Sequence, residues 1–438
     1  MSSLITYLLS RYQQTGELDD LREARKCQQD ITLENLPLSP NNILNILNPE
    51  TSKCLNDAYD KSPLASLDSS SIPPSEVASE DTDDPDHLDN AIFLAEKALA
   101  EASPGDAKKT KYFNDLSTLL AKRYELLGDL DDLEKAITFG ESVIAATPFD
   151  EPHRAACLDS LSSMLSLRFD QTGEFDDLQL AILRLEEAVA AIPLGDPDRA
   201  SLLSNLGLLL HSKFDETADF ADLQLAILRS DEAVTEAPPS HPDRASFSRN
   251  LGLMLRSKFE RTDDFDDLQL AISHTEEAVS ITPQDHPDRA VYLSCLGDQL
   301  KLRFDRTEDF DDLQTAISHV GEAVALTALD NPDRSDHLIN LADILYLRFD
   351  HKGDMNDLQL AISRTEEAVV ATPVGHPNRV AYLGKLGSHL SSRFDRTRNI
   401  DDLQLAISHT EESMATTPID HPDRALCLNN LATMLRSR

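Results

Sequence analysis

One string, D-D-L-Q-x-A-I, returns through most of this chain at an unvarying interval. Its leucine is Leu88, Leu133, Leu178, Leu223, Leu268, Leu313, Leu358 and Leu403, seven steps of 45 residues with no insertion. A period of this kind means one supersecondary unit copied in tandem, each copy burying its apolar face against the next. The length of 438 residues agrees, because a single core stops growing near roughly 250–300 residues. A degenerate earlier copy, GELDDLREA, holds Leu21, and the 67 residues from there to Leu88 are one period plus an insert.

The unit reads as two helices. In Pro197 to His241, PDRASLLSNLGLLLHSKF opens with a proline suited to a first helical position and an acidic residue in the first turn. Ala200, Leu203, Leu206, Leu210 and Phe214 follow at spacings of three and four, one helical stripe. A polar break follows, which in the preceding copy contains Gly173, a natural helix C-terminus. The second stripe is Leu223, Ala226, Ile227, Ala233 and Val234, closed by Pro238. The expectation is an all-α chain of paired helices, each about 17 to 20 residues long by this spacing.

Three registers say how those helices meet. Ala24, Ala91, Ala136, Ala181, Ala226, Ala271, Ala316, Ala361 and Ala406 mark one place in the second helix. Ser117, Ser162, Gly207, Gly252, Gly297, Ala342, Gly387 and Ala432 mark one place in the first. Glycine inside a helix costs about 1 kcal/mol against alanine, so its return in four copies points to close approach of helix axes. Tyr124, Phe169, Phe214, Phe259, Phe304, Phe349 and Phe394 share a third register and are expected to plug the joint between helices.

A small residue, then alanine, then proline twelve further on (Ala136 to Pro148, Ala181 to Pro193, Ala226 to Pro238) resembles the tetratricopeptide repeat. The 45-residue unit, longer than that family's usual one, and strings such as HPDRALCLNNLATML from His421 to Leu435 are similar to the kinesin-light-chain form. The resemblance covers 88–438 and, weakly, the first 30 residues. It implies a right-handed α-solenoid, a superhelix whose first helices line a concave groove. Ala328 in place of proline, and Ser103 before Pro104, depart from the pattern and affect local helix ends. The division expected is residues 1–30 as degenerate first-repeat helices, 31–86 as an insert, and 87–438 as the array with its last repeat incomplete. The insert holds KSPLASLDSSSIPPSEVASEDTDDPD, a composition too poor in apolar residues to order itself. The next aromatic of the register would fall at 439, so the last unit has only its first helix, read as truncation of a longer array.

Composition narrows the partners. With 78 acidic and 40 basic residues, the formal charge is −38. Nucleic acids and anionic membrane surfaces are bound through Lys and Arg, and no basic stripe is present, so neither is expected. A basic or neutral protein partner is favoured by long-range attraction. Cys27, Cys54, Cys157, Cys295 and Cys427 show no metal-site spacing. They read as buried thiols of a reducing compartment. MSSLITYLLSRYQQTG lacks the basic start and apolar run of a signal peptide, and the expected location is cytoplasmic.

No nucleotide-binding, zinc-protease or nucleophile-elbow motif appears. His241, His286, His376 and His421 recur singly at helix starts, and a capping role is expected. The acidic pairs Glu186/Glu187, Glu276/Glu277, Glu366/Glu367 and Glu411/Glu412 read as a solvated outer face. Arg199, Arg244, Arg289, Arg334, Arg379 and Arg424 are expected to form salt bridges to it. No catalytic residue, cofactor or metal is expected. The leading function is a non-enzymatic scaffold binding peptide or helical segments in the groove. The alternative is a sensor segment of a longer protein whose peptidase or NTPase module lies outside this chain.

Asn205, Asn250, Asn340 and Asn430 share a first-helix register that the resemblance places in the groove. An amide offers a donor and an acceptor to an extended peptide; the competing role is a bond within its own unit. By the same register Leu208, Arg249, Leu253, Arg256, Lys301 and Tyr346 would set specificity, with the arginines and Lys301 suited to an acidic group.

Overall fold

The computed structural model describes residues 85–438, except 104, 105, 107, 150, 152, 417–422 and 438. The expectations for 1–30 and for the insert up to residue 84 lie outside the described residues. Sixteen α-helices are present among the described residues, with no strand.

The helices divide between two units, one ending at Gln171 and the other beginning at Thr172. The first contains α1 (Pro85–Glu101), α2 (Lys108–Leu127), α3 (Leu130–Ala146) and nearly all of α4 (Arg154–Thr172). The second contains α5 (Phe175–Ala191), α6 (Pro197–Thr217), α7 (Phe220–Glu236), α8 (Arg244–Thr262), α9 (Phe265–Ile281) and α10 (Arg289–Thr307). It continues through α11 (Phe310–Leu326), α12 (Arg334–Lys352), α13 (Met355–Ala371), α14 (Pro377–Thr397), α15 (Ile400–Thr416) and α16 (Asp423–Ser437). From α2 onward, even-numbered helices are the first members of the repeat and odd-numbered helices the second. The tetratricopeptide-like helical hairpin is therefore the building block of both units.

The hairpins that lie within one unit are tied by a common set of bonds. The small first-helix register lies on the alanine register of the second, and Ala136, Ala226, Ala271, Ala316, Ala361 and Ala406 are fully buried. The serine copy works too, because Ser117 Oγ donates 2.8 Å to the Ala136 carbonyl. There the glycine has moved across the joint: Gly140, on α3, would place a Cβ 3.3 Å from Ser117 Oγ. The second aspartate of D-D-L pairs with a base nine residues earlier: Arg123–Asp132, Arg348–Asp357 and Arg393–Asp402 at 2.6 Å, Lys213–Asp222 at 2.8 Å and Lys258–Asp267 at 2.7 Å. An aspartate before the second helix caps α3, α7, α9, α11 and α13, as when Asp264 accepts from Asp266 N at 3.1 Å; Asn399 does so for α15, and Glu174 before α5 makes no such bond. The aromatic register ends the first helix through its carbonyl, which accepts at 2.7–2.8 Å from a residue in the left-handed conformation. That residue is Gly128, Ala218, Asp263, Glu308, Gly353 or Arg398.

Consecutive hairpins are joined by the repeated arginine. The sequence pointed to salt bridges with the acidic face, and that is half of the arrangement. Arg244 Nη1 also donates to the Val234 and Ala237 carbonyls at 2.9 and 2.8 Å, while its side chain reaches Glu277 at 2.9 Å. Arg289 repeats this with Val279, Thr282 and Glu322. One guanidinium thus covers the open carbonyls of the preceding second helix and links them to its own hairpin. The loop histidines hold the helix starts: His376 caps α14, accepting through Nδ1 from Asn378 N, and His241 and His286 accept likewise from Asp243 and Asp288 N just before α8 and α10, while His421 lies outside the described residues. Second helix α11 ends at Leu326 although Ala328 stands in the proline's place, because Thr327 N bonds the Ala323 carbonyl as at its sister ends. Cys157 and Cys295 are half-buried rather than enclosed.

Candidate functional site

In the second unit the first helices α6 and α8, α8 and α10, α10 and α12, and α14 and α16 approach one another more closely than any successive second helices do. The first-helix side is therefore the inner side of this unit. Hydrogen bonds stitch it across hairpins: His211 Nε2 with Ser257 Oγ at 2.8 Å, Ser246 Oγ with Tyr292 at 2.7 Å, and Tyr346 with Ser392 at 2.8 Å. Lys385 reaches Asp343 at 2.6 Å, and Tyr382 donates to Asp336.

The asparagine register belongs to that stitching. Asn250 is 8% exposed. Its Nδ2 donates to Ser204 Oγ on α6 at 3.1 Å, and its Oδ1 accepts from Arg249 Nη1 at 3.1 Å. Asn340 Nδ2 donates to the Ser294 carbonyl and hydroxyl on α10, at 3.1 and 2.9 Å. These amides hold adjacent first helices in register, which is the bland role rather than the ligand role, although across hairpins rather than within one. Asn205 is half-buried on α6. Asn430 falls on α16, and its side chain lies outside the described residues.

The other expected groove residues are brought together on α6 to α12. Leu208, Arg249, Leu253, Arg256, Lys301 and Tyr346 are all half-buried. Arg249 has no carboxylate partner: beyond Asn250 it gives Nη2 to Cys295 Sγ at 3.7 Å, and its buried Nε bonds nothing. Arg256 is tied to Glu260 one turn on, at 2.9 Å. Tyr346 stacks on His389 of α14 at 4.5 Å.

Asp298 and Asp343 continue the register of Leu208 and Leu253. Burial pushes the Asp298 carboxyl above its ordinary range, against the pull of Arg256 and Lys301. The bases Arg256, Lys301 and Lys385 thus alternate with the acids Glu260, Asp298 and Asp343 across α8 to α14. This surface can hold an extended polar chain by local charge pairing and by the apolar sides of Leu208, Leu253 and Tyr346. Burial likewise pushes His389 down to about 4. Among the described residues no group of three or more His, Cys, Asp or Glu is placed to hold a metal ion, and no helix is long and apolar enough to cross a membrane.

No protein-family profile matches the sequence, and none of the curated proteins compared matches it. Solved structures do. The TPR-like repeats of a putative kinesin light chain from Podosopora anserina share 17% identity at a TM-score of 0.36, over 49% of this chain and 97% of that one. The C-terminal part of a TPR repeat-containing protein from Cytophaga hutchinsonii shares 14% at 0.41, over 71% and 98%. A monomeric IFIT1 mutant, solved with the capped RNA m7Gppp-AAAA, shares 14% at 0.48, over 100% and 82%. At these identities the likeness concerns the helical-repeat fold.

Proposed function

We propose that this chain is a non-enzymatic scaffold, and that a peptide or helical segment of a partner protein lies across the first helices α8 to α14. One observation carries the reading. The alanine, small-residue and aromatic registers that join each hairpin repeat the same chemistry from copy to copy, whereas two half-buried registers of the first helices change charge and polarity from copy to copy. One runs Leu208, Leu253, Asp298, Asp343, Ser388, and the next runs His211, Arg256, Lys301, Tyr346, Ser391. Packing asks for sameness in a repeat array, so a stripe free of that demand is where recognition is written. Aromatic and arginine groups on such a stripe are the usual anchors of an interface.

The asparagines are supports of this surface, not its reading heads. Arg249, with its unused Nε, is the group best placed to take an acidic side chain or a terminal carboxylate. Serine stands at its register in both neighbours, Ser204 and Ser294, so Arg249→Ser keeps a residue the fold already accepts.

The test is a partner recovered on the full chain and identified by mass spectrometry, then titrated calorimetrically against wild type and Arg249→Ser with Lys301→Ser. A loss of about tenfold or more in affinity, roughly 1.4 kcal/mol, with the melting temperature unchanged, supports the reading. An unchanged affinity removes it.

A further inference from the structure

The hairpin of α12 and α13, with α11 before it, departs from its sisters at two places around one cleft. Gly321 stands where the other copies have Glu186, Asp231, Glu276, Glu366 and Glu411. Ala328 replaces the proline; the place of Glu236 is Ala371 here, as it is non-acidic in the remaining copies (Ala191, Ile281, Leu326). The cleft opens on the second-helix side between α11 and α13, with a volume of about 450 Å³. Val324 and Leu341 floor it, Arg334 and Arg364 flank it, and Leu329, 82% exposed, forms its rim. A Cβ on Gly321 would meet nothing within 4 Å, so the space is real and the missing side chain is not excluded by packing.

Arg334 shows what the cleft lacks. Four of its counterparts each hold the carbonyls of the preceding helix and also a carboxylate: Arg199 with Glu236 at 3.2 Å, Arg244 with Glu277 at 2.9 Å, Arg289 with Glu322 at 3.1 Å and Arg379 with Glu412 at 3.5 Å. Arg334 makes the carbonyl bonds, to Val324 at 2.6 Å and Thr327 at 2.7 Å, and has no carboxylate. Glu367, which stands in the place of Glu277, is held by Arg364 at 2.6 Å. The alternative position, used by Arg199, is now Ala371. A guanidinium keeps several donors in a fixed fork, and here part of that fork is left without a carboxylate at a cleft lined by both polar and apolar groups.

We infer that this cleft docks an acidic peptide segment of a partner protein. Its carboxylate takes the place beside Arg334 that glutamate fills in the sister hairpins, and its adjacent apolar side chain lies on Val324 and Leu341. The net charge of −38 does not oppose this at contact range, since charges farther than about 8 Å are screened at physiological salt. The cleft is on the second-helix side and is independent of the inner face proposed above.

The experiment is fluorescence anisotropy on the full chain with a short labelled probe, N-acetylated and C-amidated, carrying Leu-Glu pairs. Saturable binding is expected, weakened about tenfold or more by Ala371→Glu, which gives Arg334 the carboxylate that Arg199 has. Gly321→Glu, restoring the residue of the sister copies, has the same effect, and both variants keep or raise the melting temperature. The matching Leu-Gln probe binds about tenfold more weakly or not at all. Absence of saturable binding to wild type, equal binding by both variants, or equal binding of the Leu-Gln probe overturns the inference.

Discussion

Gly252 and Thr275 meet so closely across the α8–α9 joint that a Cβ on the glycine would fall 2.5 Å from the threonine hydroxyl, and 2.9 Å from the Ala271 carbonyl. The hydroxyl has little room to yield, because it donates to that same carbonyl at 3.0 Å. Gly252→Ala gains about 1 kcal/mol of helix propensity and loses about 1–3 kcal/mol to overpacking. Urea unfolding is expected to show a net loss of up to about 2 kcal/mol by those two terms. Gly321→Ala, made in open space, moves the midpoint the other way.

The left-handed ends of the first helices separate into glycine and non-glycine copies. Gly353 has φ 71°, whereas Glu308 holds φ 54° with a side chain. An L residue there costs about 1–2 kcal/mol, partly offset by the greater freedom glycine has when unfolded. Glu308→Gly is expected to raise stability by roughly 0.5–1 kcal/mol, read as a higher urea midpoint at unchanged slope. A lower midpoint would mean that the glutamate side chain contributes a contact that outweighs the backbone term.

His389 sits 4% exposed beneath Tyr346, with Nδ1 3.2 Å from Thr365 Oγ1. Burial lowers it to about 4, Asp343 opposing and Lys385 assisting, against about 6.5 in an unfolded chain. Above pH 6.5 both states carry it neutral. As pH falls from 6.5 to about 4 the unfolded chain takes up the proton and the native one does not, so stability drops by up to about 1.4 kcal/mol per pH unit. Met254 and Met434 hold the same register in sister hairpins. In His389→Met the fall in stability over that window is expected to be shallower than in wild type, and equal slopes would contradict the assignment.

The hairpin was legible because its packing positions recur in identical form. Ala271 and Gly252 mark the close approach from spacing alone, and the helix ends follow from proline, aspartate and glycine placement. The ion pair of Arg348 with Asp357 was within reach too, since a base stands nine residues before the second aspartate in copy after copy. Asn250 and Asn340 misled because their partners, Ser204 and Ser294, lie 46 residues away on another helix. A register tells which face a residue is on, not whether the neighbouring copy has already used its donors. The cleft beside Arg334 left a fainter trace, for it is made by what Gly321 and Ala371 lack, and its meaning depends on Glu367 turning to Arg364.

The most direct test of the inner-face assignment is site-specific photo-crosslinking in cell extract, with a benzophenone amino acid replacing Leu253 in one chain and Glu276, on the outer face of α9, in another. The account predicts that a discrete partner protein is captured from Leu253, that Arg249→Ser with Lys301→Ser abolishes this capture, and that Glu276 does not yield the same partner. Capture of that partner from Glu276 and not from Leu253 would contradict it.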